Sequence, residues 1–420
     1  MDIHEDLITC ACYGHYERVE YLLKYFDIDP LYSNNKAIEK ASQNGHSEVV
    51  KLLLNDSRVD PSAVKNKAIR TASYNGHLEV VKLLLNDRRV NPSDMYNKSI
   101  RMASKNGHLE VVKLLLHDPR VDPSDRWNAA LNNASNLGHY EVVKLLLSDQ
   151  RVDPSDGNNS AIVLASECGH YEIVKLLLSD TRVDPSGANN GAIIKASQNG
   201  HLEIVKLLLN DSRVDPSDGD NFAIIGACAQ GRLEVIKLLL NDPRVDPSDK
   251  NNSAIGYASI GGHIEIVKLL LNDSRVDPHE INPSDGDNFA IRGASTKGWI
   301  EIVKLLLNDP RVDPSDRNNE AMFGASKNSN LEVVKLLLDD SRVDPSDDEN
   351  KALIVASSDV DIIKLLLSDS RVLNRYFHSY GVIKDRFCYD ILIRFHKNLS
   401  NKNFEFHKKM NKSNWPAFLL

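Results

Sequence analysis

The chain has 420 residues, 41% hydrophobic and 26% charged, with a formal net charge of −8. Those proportions belong to a folded soluble protein, and the acidic balance argues against a nucleic-acid groove along the chain, which would need clustered Lys and Arg. Five scattered cysteines make no disulfide framework, and no apolar run approaches the ~20 residues of a membrane helix, so composition points to a soluble, intracellular, cytoplasmic protein.

At the N-terminus, Asp2, Glu5 and Asp6 leave no basic or apolar region of a signal peptide. Glu17, Arg18, Glu20 and Lys24 enrich residues 1–30 in charge, as a capping unit at the end of a repeat array requires. Cys10 and Cys12 are two apart and do not share a helix face, so no metal pair is expected there. Nowhere does the chain show a phosphate loop, a nucleophile-plus-base signature or metal-ligand spacing. No enzyme activity and no cofactor are expected.

From residue 31 to 373 one pattern recurs. Leucine triplets begin every 31 residues from Leu52 to Leu269, then at Leu305, Leu336 and Leu365. Such a period marks stacked copies of one supersecondary unit. In the copy from Asn66 to Pro92, Asn66 is expected to N-cap a first helix, with Ala68, Ile69 and Ala72 on its apolar stripe and Ser73 keeping the facing helix close. Gly76 should end that helix in a left-handed conformation. A second helix from Leu78 to Asn86 is apolar on nearly all sides, so neighbours must cover both flanks. Arg89 and its counterparts precede aspartates such as Asp60, Asp122 and Asp153 in the D-x-R-V-D-P-S connector. Arg–Asp pairing between adjacent repeats is expected there, in preference to an anion-binding ridge. His77 recurs after the glycine, replaced by Arg232, Trp299 and Asn330 in three copies. Repeats some 8–10 Å apart cannot share a zinc ion that needs nitrogens near 2 Å, so a structural hydrogen bond is expected.

The sequence Gly76-His77 followed by Val80-Val81-x-Leu83-Leu84-Leu85 resembles the ankyrin repeat. The resemblance covers about residues 1–373 and implies an all-α, ankyrin-type helix-turn-helix solenoid of about twelve repeats. The first helix departs from the family's T-P-L-H-x-A-A, reading K-A-I-R-T-A-S at Lys67–Ser73. The period of 31 in place of the family's ~33 shortens the connectors to turns. The D-x-R-V-D-P-S signature further resembles the ankyrin arrays of amoeba-infecting giant viruses such as mimivirus. That implies a viral protein acting in the host cytoplasm on a host protein.

Repeats agree where stacking demands it, so their differences point to a partner. The expected patch is Tyr74, Met95, Tyr96, Met102, Arg126 and Trp127; at the loop tips, Met95-Tyr96 and Arg126-Trp127 stand where later copies have Gly-Asn or Gly-Asp. Tyr, Trp and Arg are favoured interface anchors. A five-residue insertion at His279–Pro283 reads as a partial duplication, and Asp218-Gly219-Asp220 and Asp285-Gly286-Asp287 lack the spacing of a calcium loop.

Residues 374–420 hold nine Lys/Arg against three Asp/Glu, so the preceding 373 carry a net −14. Phe387, Ile391, Leu392 and Phe395 suggest a capping helix, followed by a basic aromatic tail at residues 402–412. The leading expectation is a monomeric, non-enzymatic scaffold that holds a partner protein on its concave helix face and loop tips, with no membrane attachment. The alternatives are a ubiquitin-ligase adaptor recruited through residues 374–420 and nucleic-acid binding by the tail.

Overall fold

Each period forms two helices because it carries two stop signals. In the third repeat the first helix spans Ala63–Asn75 and the second Leu78–Asn86. Gly76 separates them at φ 79°, its N–H bonded to the carbonyls of Ala72 and Ser73, a left-handed helix end that glycine adopts at least cost. Pro92 then prevents the connector from continuing as helix. This computed structural model describes residues 3–26, 30, 32–276, 288–356 and 359–379. Among them are 25 helices and no strand: twelve helix pairs and a last helix, Ser370–Ser379. The all-α fold, the repeat number and the turn-only connectors are as expected. The last helix runs through Leu373 because Val372-Leu373-Asn374 replaces Val-Asp-Pro and no proline stops it. The insertion at His279–Pro283, the Asp285-Gly286-Asp287 motif, the helix expected around Phe387–Phe395 and the tail lie outside the described residues.

The chain divides into two compact units, residues 1–219 and 220–420. Within each, first helices pack on the first helices of the next repeat and second helices on second helices. Ala68, Ile69, Ala72, Val80, Val81 and Leu84 are at most 3% exposed; each large side chain among them contributes roughly 1.5–3 kcal/mol by burial. Here the structure corrects the sequence reading. In the triplets from Leu52 to Leu338 only the middle leucine is fully buried, as with Leu84 between half-buried Leu83 and Leu85; in the last triplet Leu367 is buried beside Leu366. The second helix therefore has an open outer flank, where pairs such as Glu203–Lys206 lie 2.7 Å apart in solvent.

Three side chains tie each repeat to its neighbour. His77 Nε2 lies 2.9 Å from the carbonyl oxygen of Gln43, and His108 Nε2 2.9 Å from that of Tyr74. A carbonyl only accepts, so Nε2 carries the proton. Trp299 and Asn330, which replace histidine, donate to the same place: Trp299 Nε1 to Ile260 O at 2.9 Å and Asn330 Nδ2 to Thr296 O at 3.0 Å. The column is a structural donor, as expected. It also gives the glycine a second reason, since a Cβ on Gly76 would lie 2.5 Å from His108 Nδ1.

Asn66 departs from its expected role. Its side chain caps no helix: Oδ1 accepts from Asn91 N–H of the following connector at 2.8 Å, and Nδ2 donates to Asp94 Oδ2 at the start of the next repeat at 3.0 Å. Asn66 is itself left-handed (φ 55°) and 5% exposed, so its amide points away from its own helix start. Arg89 departs too. It pairs with Asp87 of its own repeat at 2.6 Å, and all eleven connector arginines pair likewise at 2.6–2.7 Å. The bond between repeats runs from the guanidinium to backbone: Arg89 Nη1 donates to Val59 O at 2.7 Å and Nη2 to Leu54 O at 3.1 Å. Leu54 ends the preceding second helix, whose last carbonyls have no partner within the helix.

In the first repeat, Asp6 and Arg18 stand where Ala68 and Val80 are buried in the third. They form an ion pair at 2.6 Å. A surface covered elsewhere by apolar stacking is polar here.

Candidate partner-binding surface

From the second repeat on, each first helix is entered through left-handed residues. Val64-Lys65-Asn66, Met95-Tyr96-Asn97 and Arg126-Trp127-Asn128 all have φ of 52–59°. Asparagine tolerates this region because its short polar side chain bonds locally. Bulky residues there cost of order 1–3 kcal/mol each, and two later turns relieve that with Gly157-Asn158 and Gly219-Asp220. Side chains on the following helix hold the turn. Arg101 Nε donates to Tyr96 O at 2.8 Å and Nη2 to Met95 O at 3.1 Å, Arg70 does the same to Lys65 O and Val64 O, and Asn132 Nδ2 bonds Trp127 O.

Two of these turns, one repeat apart, bring four of the six expected residues into one neighbourhood. The Arg126 guanidinium carbon lies 4.4 Å from the centre of the Tyr96 ring, a cation–π distance. Tyr96 is 61% and Trp127 72% exposed, while Met95 is half-buried. The next turn offers only Gly157 beside Trp127, whose Cβ would be 3.4 Å from a Cβ added there; nothing bulky covers the indole. Met102 is half-buried on the first helix that leaves the Met95 turn. Tyr74 is not brought to these turns. It lies eight residues beyond Asn66, about 12 Å along the preceding first helix, half exposed, with its carbonyl taken up by His108 and Asn106.

Charge is uneven around these turns. Arg101 is held below the ordinary arginine range, first by burial and then by Arg126 beside it. Among the described residues neither has a carboxylate at ion-pair distance, unlike the connector arginines.

The second unit contains a feature the sequence reading missed. A cleft of about 440 Å³ is lined by Ile260, Phe289, Arg292, Thr296, Glu320 and Phe323 among others. Arg292 pairs with Glu320 across it, and Lys327 and Lys351 lie 5.8 and 4.6 Å from the Phe323 ring. The available signal was mid-helix glycine, which costs about 1 kcal/mol against alanine. Gly293 and Gly324 are kept because a Cβ would collide with Ile260 and Thr296 of the preceding repeat.

The stacked helix pairs, the glycine–histidine turn and the repeat-to-repeat bonds agree with what comparison shows. A family model, ankyrin repeats (3 copies), matches residues 5–65, 59–126, 100–192, 193–285 and 289–375. The chain belongs to the ankyrin-repeat family. No curated protein matches it. Ankyrin repeats are generally protein–protein interaction modules, and proteins built of them are typically non-enzymatic scaffolds. In this ankyrin-repeat protein no helix of the described residues is long and apolar enough to cross a membrane.

Proposed function

We propose that this ankyrin-repeat protein is a non-enzymatic, monomeric scaffold that holds a partner protein at the turns carrying Met95, Tyr96, Arg126 and Trp127, with Met102 flanking them on the adjoining helix. Tyr74 forms a separate contact at the far end of its helix. The observation that carries this reading is the exposed Tyr96–Arg126 stack beside an uncovered Trp127. Large aromatic and arginine side chains that a fold exposes at strained backbone positions are candidate binding anchors. Residues 1–30 serve as the capping repeat, for which the Asp6–Arg18 pair is the support, and residues 31–373 as the array. The connector signature supports a giant-virus origin, in which the partner is a protein of the host cytoplasm. The test is affinity capture with the full chain against Tyr96→Ala/Trp127→Ala, both changes lying on exposed side chains. Specific partners retained by the parent and lost by a folded double variant support the site. An unchanged set of partners overturns it.

A further inference from the structure

Five cations surround these turns: Lys65, Arg70, Lys98, Arg101 and Arg126. Among the described residues none of them lies at ion-pair distance from a carboxylate. By contrast, the arginine two residues after each connector aspartate is paired with it, and several first-helix and turn cations of later repeats are compensated, as in Lys195–Glu167 at 3.1 Å, Lys250–Asp220 at 2.5 Å and Lys351–Asp348 at 3.0 Å. Two carboxylates of these turns are engaged by neutral amides and make no ion pair with the five cations. Asp94 accepts from Asn66 Nδ2 and from its own turn at Met95 N, and Asp125 accepts from Asn97 Nδ2. Arg70 and Arg101 are held in place by two carbonyl bonds each, so little side-chain freedom remains to be lost on binding.

We propose that the three successive turns at residues 64–66, 95–97 and 126–128 bind an extended acidic segment of a partner protein, its carboxylates meeting these five cations and a planar side chain packing on Tyr96 and Trp127. The proposal rests on the partner-binding reading above and adds the chemistry of the ligand. Repeats about 8–10 Å apart place the outer turns about 20 Å from each other. At roughly 3.3 Å per residue an extended segment covers that distance in about six residues. Charge selects the occupant. The five cations form a local basic strip in an array that is acidic as a whole, which suits a short run of carboxylates. A nucleic acid would carry its phosphates on past the strip, over acidic surface that repels them.

Fluorescence anisotropy with the full chain tests this, using three labelled seven-residue probes: a Glu-rich peptide with a central Trp, the same peptide with Gln for every Glu, and a single-stranded oligouridine. The Glu peptide is expected to bind at least tenfold tighter than the Gln peptide, and to weaken about tenfold between 50 and 300 mM salt. Lys65→Glu/Arg126→Glu should weaken it at least tenfold, and Trp127→Ala severalfold, with the thermal midpoint unchanged in each. Equal binding of Glu and Gln peptides, preference for oligouridine, or indifference to the charge reversal overturns the proposal. Should captured partners depend on Tyr96 and Trp127 but not on the charge reversal, the scaffold reading stands and the acidic ligand falls.

Discussion

Asn97 and Asp125, 28 residues apart, are joined by a 2.9 Å hydrogen bond from the Asn97 amide to the Asp125 carboxylate. The other end of the same amide, Oδ1, accepts from Asp122 N–H at 2.8 Å. One buried side chain thus satisfies a connector amide and orients the aspartate at the mouth of the next turn. Removing it leaves a backbone donor without its partner, at a cost of about 1–3 kcal/mol. Asn97→Ala also places a residue less tolerant of positive φ at 53°. It should lower the urea midpoint of the full chain, and an unchanged midpoint would refute the bracing role.

The histidine column makes a sharper comparison. His108→Ala loses the bond to Tyr74 O and should cost about 0.5–1.5 kcal/mol. His108→Asn should recover most of it, because Asn330 already makes the equivalent bond in a later repeat. Urea denaturation of the pair decides. Equal losses in both variants would mean that ring packing against Gly76, and not the hydrogen bond, is what matters.

A third expectation runs the other way. Ser104 is fully buried with no hydrogen-bond partner for its hydroxyl, and so are Ser73 and Ser135 in the same column. The second unit has Cys228 at this position, also fully buried. A buried hydroxyl without a partner is unfavourable, so Ser104→Ala should be neutral or stabilise by up to about 1 kcal/mol. A clear loss of stability in denaturant would show that the hydroxyl has a partner.

The pH dependence follows from the connector pairs. Asp87, Asp118, Asp149 and their counterparts are held below the usual carboxylate range, first by the side-chain hydrogen bonds of the arginine two residues on. A carboxylate whose pKa is depressed by folding contributes stability that is complete above its unfolded value, near 3.9, and is lost as pH falls through the folded value. The protein should therefore keep its full stability from neutral pH down to about 5. Below about 4 it should lose stability steeply, since eleven such aspartates titrate together. Thermal melts between pH 7 and 2.5 measure this. Stability unchanged down to pH 2.5 would refute the contribution of these pairs.

The repeat, the two helices of each unit and the turning glycine were legible in the sequence because they depend on local signals repeated many times. Asn66 and Arg89 were not legible in the same way. Both recur in fixed register, which marks them as structural, but the partner of each is chosen by the distance between neighbouring repeats. The bond from Asn66 to Asp94 and that from Arg89 to Leu54 O exist only once units are stacked.

Periodicity by itself determined that this chain builds a stack and where each unit turns, since 31 residues hold two short helices, a glycine stop and a proline stop. Periodicity could also single out the bulky residues at 95–96 and 126–127, which break the pattern. Tertiary structure alone decided that those turns are left-handed, that Arg126 lies on Tyr96, and that Tyr74 stays apart at the other end of its helix. The reason is geometric. A side chain's neighbours across a stack are fixed by backbone direction at the turn and by the spacing of units, and neither quantity is written in any one repeat.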